Sequence, residues 1–159
     1  MMVTRLSVDV RKVVLTSAAE EARRRGDRRL GTDHLLLGLL HDASSTEAKA
    51  LGMDLKSARD AADALDRAAL AAVGVDVAQL GDPSQPVFSR HLLPLTSGAR
   101  AVIKTALDET RLAGSRRIEA RQFLLALLDR QHPDPAAELL QALGVDRSEV
   151  RHRLDAATD

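Results

Sequence analysis

The chain of 159 residues carries 23 basic and 23 acidic side chains, two phenylalanines, no tryptophan or tyrosine, and no cysteine. Balanced charge leaves no global field to draw nucleic acid or an anionic membrane, and the lack of cysteine excludes disulfides, thiolate metal sites and a cysteine nucleophile. A chain of this length buries roughly 70% of the surface its unfolded form exposes, so one domain over 1–159 needs no metal or covalent staple.

The opening Met-Met-Val-Thr-Arg-Leu-Ser lacks the apolar stretch of a secretory signal. The longest apolar run falls far short of the ~20 residues that cross a bilayer. The cytoplasm is the expected compartment. Ser7 is placed to cap a first helix, in which Val10, Val13, Val14, Ser17, Ala18 and Glu21 recur at helical spacing until Gly26 ends it. Thr32 is expected to cap a second helix from Asp33 to about His41, whose leucines point in almost every direction. A helix apolar all round belongs at the centre of a fold. Short and long helices follow, Thr46 to Leu51 closed by Gly52, then one opened by Asp54 with Leu55, Ala58, Ala62 and Leu65 on one side. The stretch 73–94 holds Gly-Asp-Pro-Ser-Gln-Pro and no sustained period, which predicts a surface linker. Thr96 opens the next helix, Ile118–Arg130 supplies another buried one, Pro135 suits a first turn, and Asp146 opens the last.

The second half repeats the first. Gly26-Asp-Arg-Arg-Leu-Gly-Thr-Asp-His-Leu-Leu-Leu-Gly-Leu-Leu40 is answered by Gly114-Ser-Arg-Arg-Ile-Glu-Ala-Arg-Gln-Phe-Leu-Leu-Ala-Leu-Leu128, and Leu6-Ser7 by Leu95-Thr96. Leu51-Gly52-Met53-Asp54 is likewise answered by Leu143-Gly144-Val145-Asp146. This duplication predicts an all-α fold of eight helices in two pseudo-symmetric four-helix repeats. Repeat one covers about 5–72 and repeat two about 95–157.

Leu6-Ser7, Glu20-Glu21-Ala22-Arg23 and Gly31-Thr-Asp-His-Leu-Leu-Leu-Gly-Leu39 resemble the repeat of the amino-terminal (N) domain of ClpC/ClpA-type unfoldase ATPases. The likeness covers about 5–157. It is most specific in the first copy; in the second, Glu119-Ala-Arg-Gln122 replaces the Gly-Thr-Glu-His of the family. The phosphate cradle of the ATPase modules is absent, and no Gly-Lys pair occurs anywhere. The chain's end at Leu154-Asp-Ala-Ala-Thr-Asp159 points to a free-standing homologue rather than an excised domain.

The resemblance implies a docking module that receives substrates and adaptor proteins. In some relatives each repeat also holds a pocket for phosphorylated arginine. Its phosphate suits a helix N-terminus, and its guanidinium suits a carboxylate. The matching residues are Ser7 and Asp33 in the first copy, beside Thr32, and Thr96 with Arg121 in the second. Because Arg121 would repel a guanidinium, a single pocket in the first copy is expected. Leu6 and Leu95 stand where relatives carry Phe, at an apolar docking edge. Adaptors, and cyclic peptide natural products in some relatives, use that edge; without the rings such ligands should bind more weakly. The alternative to each assignment is plain structure: helix caps, first-turn acids and hydrophobic packing.

The arginines at 23, 24, 25, 28, 29, 116 and 117 read as solvated loops or as receivers of acidic segments. His34 and His41 lack a third metal ligand at suitable spacing, and a structural hydrogen bond is the expected role of His34. No Gly-x-Ser-x-Gly elbow occurs, so no enzyme activity is expected. The function read from the sequence is non-catalytic peptide or protein binding in the Clp unfoldase–protease system. A free-standing copy would recruit cargo, or act as a regulator or decoy. A small helical DNA-binding regulator is the alternative, disfavoured by zero net charge and the lack of a basic recognition helix. No cofactor, nucleic acid or membrane partner is expected, and the protein is expected to be a monomer.

Overall fold

A computed structural model describes residues 6–74 and 93–159, and among them eight helices and no strands. Helix α1 is continuous from Val8–Lys12 through a π-helical turn, Val13–Ser17, to Ala18–Arg24. Then come α2 (Thr32–Leu39), α3 (Thr46–Leu51) and α4 (Leu55–Ala72). The second repeat supplies α5 (Ser97–Leu112), α6 (Ala120–Leu128), α7 (Pro135–Ala142) and α8 (Arg147–Ala156). Most of the segment read as a linker, 75–92, lies outside the described residues.

Local chemistry starts these helices where the sequence places the caps. The hydroxyls of Ser7 and Thr96 accept hydrogen bonds from the backbone N–H groups of Val10 (3.2 Å) and Ala99 (3.1 Å). Asp54 and Asp146 do the same for α4 and α8. Gly52 closes α3 at φ 71°, a left-handed conformation that side chains resist.

Helix α2 departs from its predicted start. Gly31 is the N-cap and Thr32 is already inside the helix. The Gly31 N–H donates to Nδ1 of His34 (2.9 Å), whose Nε2 meets Asp27 Oδ2 at 2.7 Å. An acceptor Nδ1 leaves Nε2 as the donor, so these two partners together fix the tautomer. In α6 the Glu119 N–H donates to Gln122 Oε1 (3.2 Å), so His34 and Gln122 perform one task in the two repeats. Thr32 is released from capping its own helix. Its hydroxyl crosses to the second repeat, donating to Asp134 Oδ1 (2.7 Å) and accepting from the Ala136 N–H (3.1 Å).

The repeats interlock. Leu6 pairs as a parallel bridge with Ile118, and Leu95 with Leu30, which are corresponding pairs exchanged between the halves. The Ser7 N–H donates to the Ile118 carbonyl (3.0 Å), and the Thr96 N–H to the Leu30 carbonyl (2.9 Å). This reciprocal exchange is the pseudo-twofold relation that the duplicated sequence predicts. Central to both halves, α2 and α6 pack on each other and on their surroundings, with Leu35, Leu36, Leu37, Phe123, Leu124 and Leu127 fully buried.

One asymmetry lies at Gly38. A Cβ built there would stand 3.0 Å from the backbone nitrogen of Ala18 and 3.1 Å from Cγ1 of Val13, against the π-helical turn. Its counterpart Ala126 lies on α6, which packs on α5, and α5 is α-helical from Ser97 to Leu112. In an open helix Gly→Ala stabilises by about 1 kcal/mol. Here overpacking against backbone should outweigh that, and Gly38→Ala is expected to destabilise by roughly 1–2 kcal/mol. A lowered urea midpoint with unchanged slope will show it.

Candidate binding clefts

Two clefts open between the repeats, and the same pseudo-twofold relates them. The first, about 810 Å³, lies between the N-terminus of α2 (Thr32, Asp33), the N-terminus of α5 (Thr96, Ser97, Gly98) and the loop before α7 (Asp134). The second, about 680 Å³, lies between the first half of α1 (Asp9, Lys12), the N-terminus of α6 (Ala120, Arg121) and the loop before α3 (Ser45). Each cleft therefore takes one wall from each repeat.

That construction regroups the residues expected to act together. Because Ser7 bonds to Ile118 and Thr96 to Leu30, the hydroxyl of each repeat sits beside the buried helix of the other. Asp33 shares a cleft with Thr96, not with Ser7, whereas Ser7 stands at the head of the helix lining the cleft of Arg121. Sequence order cannot show this exchange, because it depends on a contact between residues about 65 or 110 positions apart.

In the first cleft, Asp33 Oδ2 accepts from Arg25 Nη1 at 2.6 Å, and Arg25 Nη2 also donates to Asp66 Oδ2 at 2.6 Å. The Arg25 side chain is only 8% exposed, which removes it from the class of solvated loop charges. Burial works to raise the Asp33 carboxyl, but His34 and the charge and hydrogen bond of Arg25 outweigh it and hold it below the usual carboxylate range. Asp33 Oδ1 accepts no hydrogen bond from another side chain among the described residues. Thr32 and Asp134 are buried and occupied by each other, so they form the floor that joins the repeats. Arg28 and Arg29 are exposed at the rim.

In the second cleft Arg121 is turned toward α8. It donates to the Leu154 carbonyl (2.8 Å) and Thr158 Oγ1 (2.9 Å), and pairs with Asp155. Ser7 is buried and committed to its cap. Leu6 is 2% exposed and lies in the core, and half-buried Leu95 packs against that core.

A buried cluster near the second cleft was hidden in the first helix's periodic face. Glu21 is fully buried; it accepts from Arg59 Nε (2.9 Å) and Arg24 Nε (3.3 Å) and meets His41 Nε2 (2.8 Å). Burial opposes its ionisation, yet the hydrogen bonds of Arg59 and His41 and the arginine charges hold it below its ordinary 4.5. The signal available in the sequence was an acid on an apolar stripe.

No serine or threonine hydroxyl shares a hydrogen bond with a histidine among the described residues. Nor do three His, Asp or Glu side chains there form a metal-holding group, and no described helix is long and apolar enough to cross a membrane.

A family model described as the Clp repeat (R) N-terminal domain matches residues 5–132. The chain is 33% identical over 141 residues to the chloroplastic chaperone protein ClpC2 of Oryza sativa subsp. japonica, covering 87% of this chain and 14% of that protein. It is 30% identical over 144 residues to the chaperone protein ClpB of Oceanobacillus iheyensis, covering 89% of this chain and 16% of that protein. It thus spans about a seventh of the curated relatives it matches. The fold is similar to that of the N-terminal domain of the caseinolytic protease associated chaperone ClpD from Arabidopsis thaliana. That likeness has a TM-score of 0.73 at 18% identity, over 99% of this chain and 97% of that one.

Proposed function

Because the chain belongs to the Clp repeat N-terminal domain family, we propose that it is a non-catalytic module that receives substrate or adaptor polypeptides for a Clp unfoldase–protease. The observation that carries this reading is the pair of clefts, each walled by rigid helix N-termini from both repeats. Such a receptor presents fixed polar groups to a side chain and keeps its shape on binding, which limits the entropy lost. The relatives, chaperones and ATP-binding subunits of Clp protease, support a role in delivering polypeptides.

The first cleft suits phospho-arginine better than the second. Asp33 Oδ1 offers an acceptor to the ligand's guanidinium N–H groups. Thr96 and the first N–H groups of α5 lie across from it, where a phosphoryl group is favoured by the helix dipole. In the second cleft the position of Asp33 is taken by Arg121, which is engaged with α8, so that position offers no carboxylate to a ligand's guanidinium. Loss of one charge-assisted hydrogen bond costs about 1.5–3 kcal/mol. Asp33→Ala should therefore weaken a phospho-arginine peptide by roughly tenfold or more in titration calorimetry. Equal binding by wild type and variant discards the pocket. A free-standing copy of the module would compete with a full-length unfoldase for the same adaptors, and a pull-down with and without the purified chain tests that role.

A further inference from the structure

We propose that the second cleft is a subsite for a cationic side chain, the unmodified lysine of an incoming polypeptide. The proposal rests on the reading of the clefts as polypeptide receptors, and it gives the second cleft a ligand of its own.

Unpaired negative charge sets this cleft apart. It is lined by five carboxylates, Asp9, Glu20, Asp42, Glu47 and Glu119, and by two permanent cations, Lys12 and Arg121. Arg121 is committed to α8, where it pairs with Asp155 and donates to the Leu154 carbonyl. His41, also in the wall, is engaged with buried Glu21 at 2.8 Å. None of the five carboxylates, nor Lys12, forms an ion pair among the described residues. The first cleft is different, because its own arginines answer its acids: Arg25 pairs with Asp33 and Asp66, and Arg130 with Asp134. Five like charges around one opening repel one another, and a cation among them relieves that repulsion.

A second observation points to a ligand that donates hydrogen bonds. Ser17 lines the same cleft and is only 5% exposed, yet its hydroxyl makes no hydrogen bond among the described residues. A covered hydroxyl without a partner is costly, and an ammonium N–H donating to its oxygen would supply one. Ser17 closes the π-helical turn of α1, and such turns recur at functional sites. The corresponding helix at the first cleft, α5, has no such turn.

The N-terminus of α6 is closed to an anion. Where the first repeat has Gly31 as N-cap, the second has Glu119, so the chain's own carboxylate already lies at the positive end of the helix dipole. The acids also come from separate elements, α1, the loop after α2, α3 and the cap of α6. That scatter suits the compact ammonium of lysine, with its three donors on a flexible stem, better than the planar fork of arginine.

Labelled peptides with lysine, ε-acetyl-lysine or phospho-arginine at one position test this by fluorescence anisotropy on wild type and Glu20→Gln/Glu47→Gln. Neither glutamate side chain bonds to another side chain among the described residues, so the double variant should keep the wild-type Tm. Wild type should bind the lysine peptide about fivefold tighter than the acetyl-lysine peptide, the effect of two partly exposed charge contacts, and the variant should lose that preference. Salt at about 1 M should erase it in wild type. Equal affinity for the two peptides, or a preference that the variant retains, overturns the proposal. Independently of any peptide, Nα-acetyl-lysinamide should shift the backbone amide signals of Ser17 and Glu20 in a nitrogen–proton correlation spectrum, and its ε-acetylated form should not. Absence of those shifts also overturns the proposal, and binding of the phospho-arginine peptide alongside that absence leaves the receptor reading standing. Selective shifts without binding of any of the three peptides overturn the receptor reading instead, which separates the two failures.

Discussion

Replacing Glu21 with alanine is expected to lower the unfolding free energy by about 3 kcal/mol, the low end of the range for breaking a buried ion pair by removing one partner. Glu21 has no exposed side-chain surface, but Arg59, Arg24 and His41 retain 32%, 35% and 20% of theirs and can partly resolvate once the carboxylate is gone. The measurement is the urea midpoint at neutral pH. For contrast, the Lys56–Asp60 pair on α4 is 83% and 64% exposed, and Lys56→Ala should change little.

The same carboxylate sets an acid limb. Its folded-state titration lies below the ordinary 4.5, so its contribution is complete above that value and is lost as pH falls through the lower, folded one. Asp33 acts in the same direction. Glu21→Gln should accordingly flatten the loss of stability below about pH 4.5 without abolishing it, because the share of Asp33 remains.

Phe123→Ala should cost about 3–5 kcal/mol, since the ring is fully buried in α6 and its removal leaves a cavity among close-packed leucines. At this chain length that corresponds to a fall in Tm of roughly 10 °C, readable by calorimetry. Phe123→Leu should cost less than about 1.5 kcal/mol. The pseudo-twofold supplies the reason: Leu35 occupies the corresponding place in α2 and fills it without an aromatic ring.

Much of the helical framework was legible from short-range chemistry. Ser7, Asp54, Thr96 and Asp146 bond to backbone N–H groups two or three residues ahead, and such caps are written locally. The all-apolar faces of α2 and α6 likewise announced central helices. What stayed hidden depends on partners distant in the chain. Thr32 reads as a cap until Asp134, 102 residues away, takes its hydroxyl. Arg25 reads as one of several loop charges until Asp66 arrives from α4. The π-helical turn has no composition of its own, and Gly38 is the trace it leaves in the sequence. The composite clefts stay hidden for the same reason: the exchange brings each hydroxyl beside the buried helix of the other repeat.

The crossed bridges Leu6–Ile118 and Leu30–Leu95 carry an implication for ancestry. Every half contains both an arm that reaches out and a slot that receives one. Two identical single-repeat chains could therefore clasp each other about a true dyad, with both clefts already present at their junction. Tandem fusion would turn such a homodimer into one polypeptide and free its two clefts to diverge, as Asp33 and Arg121 have done.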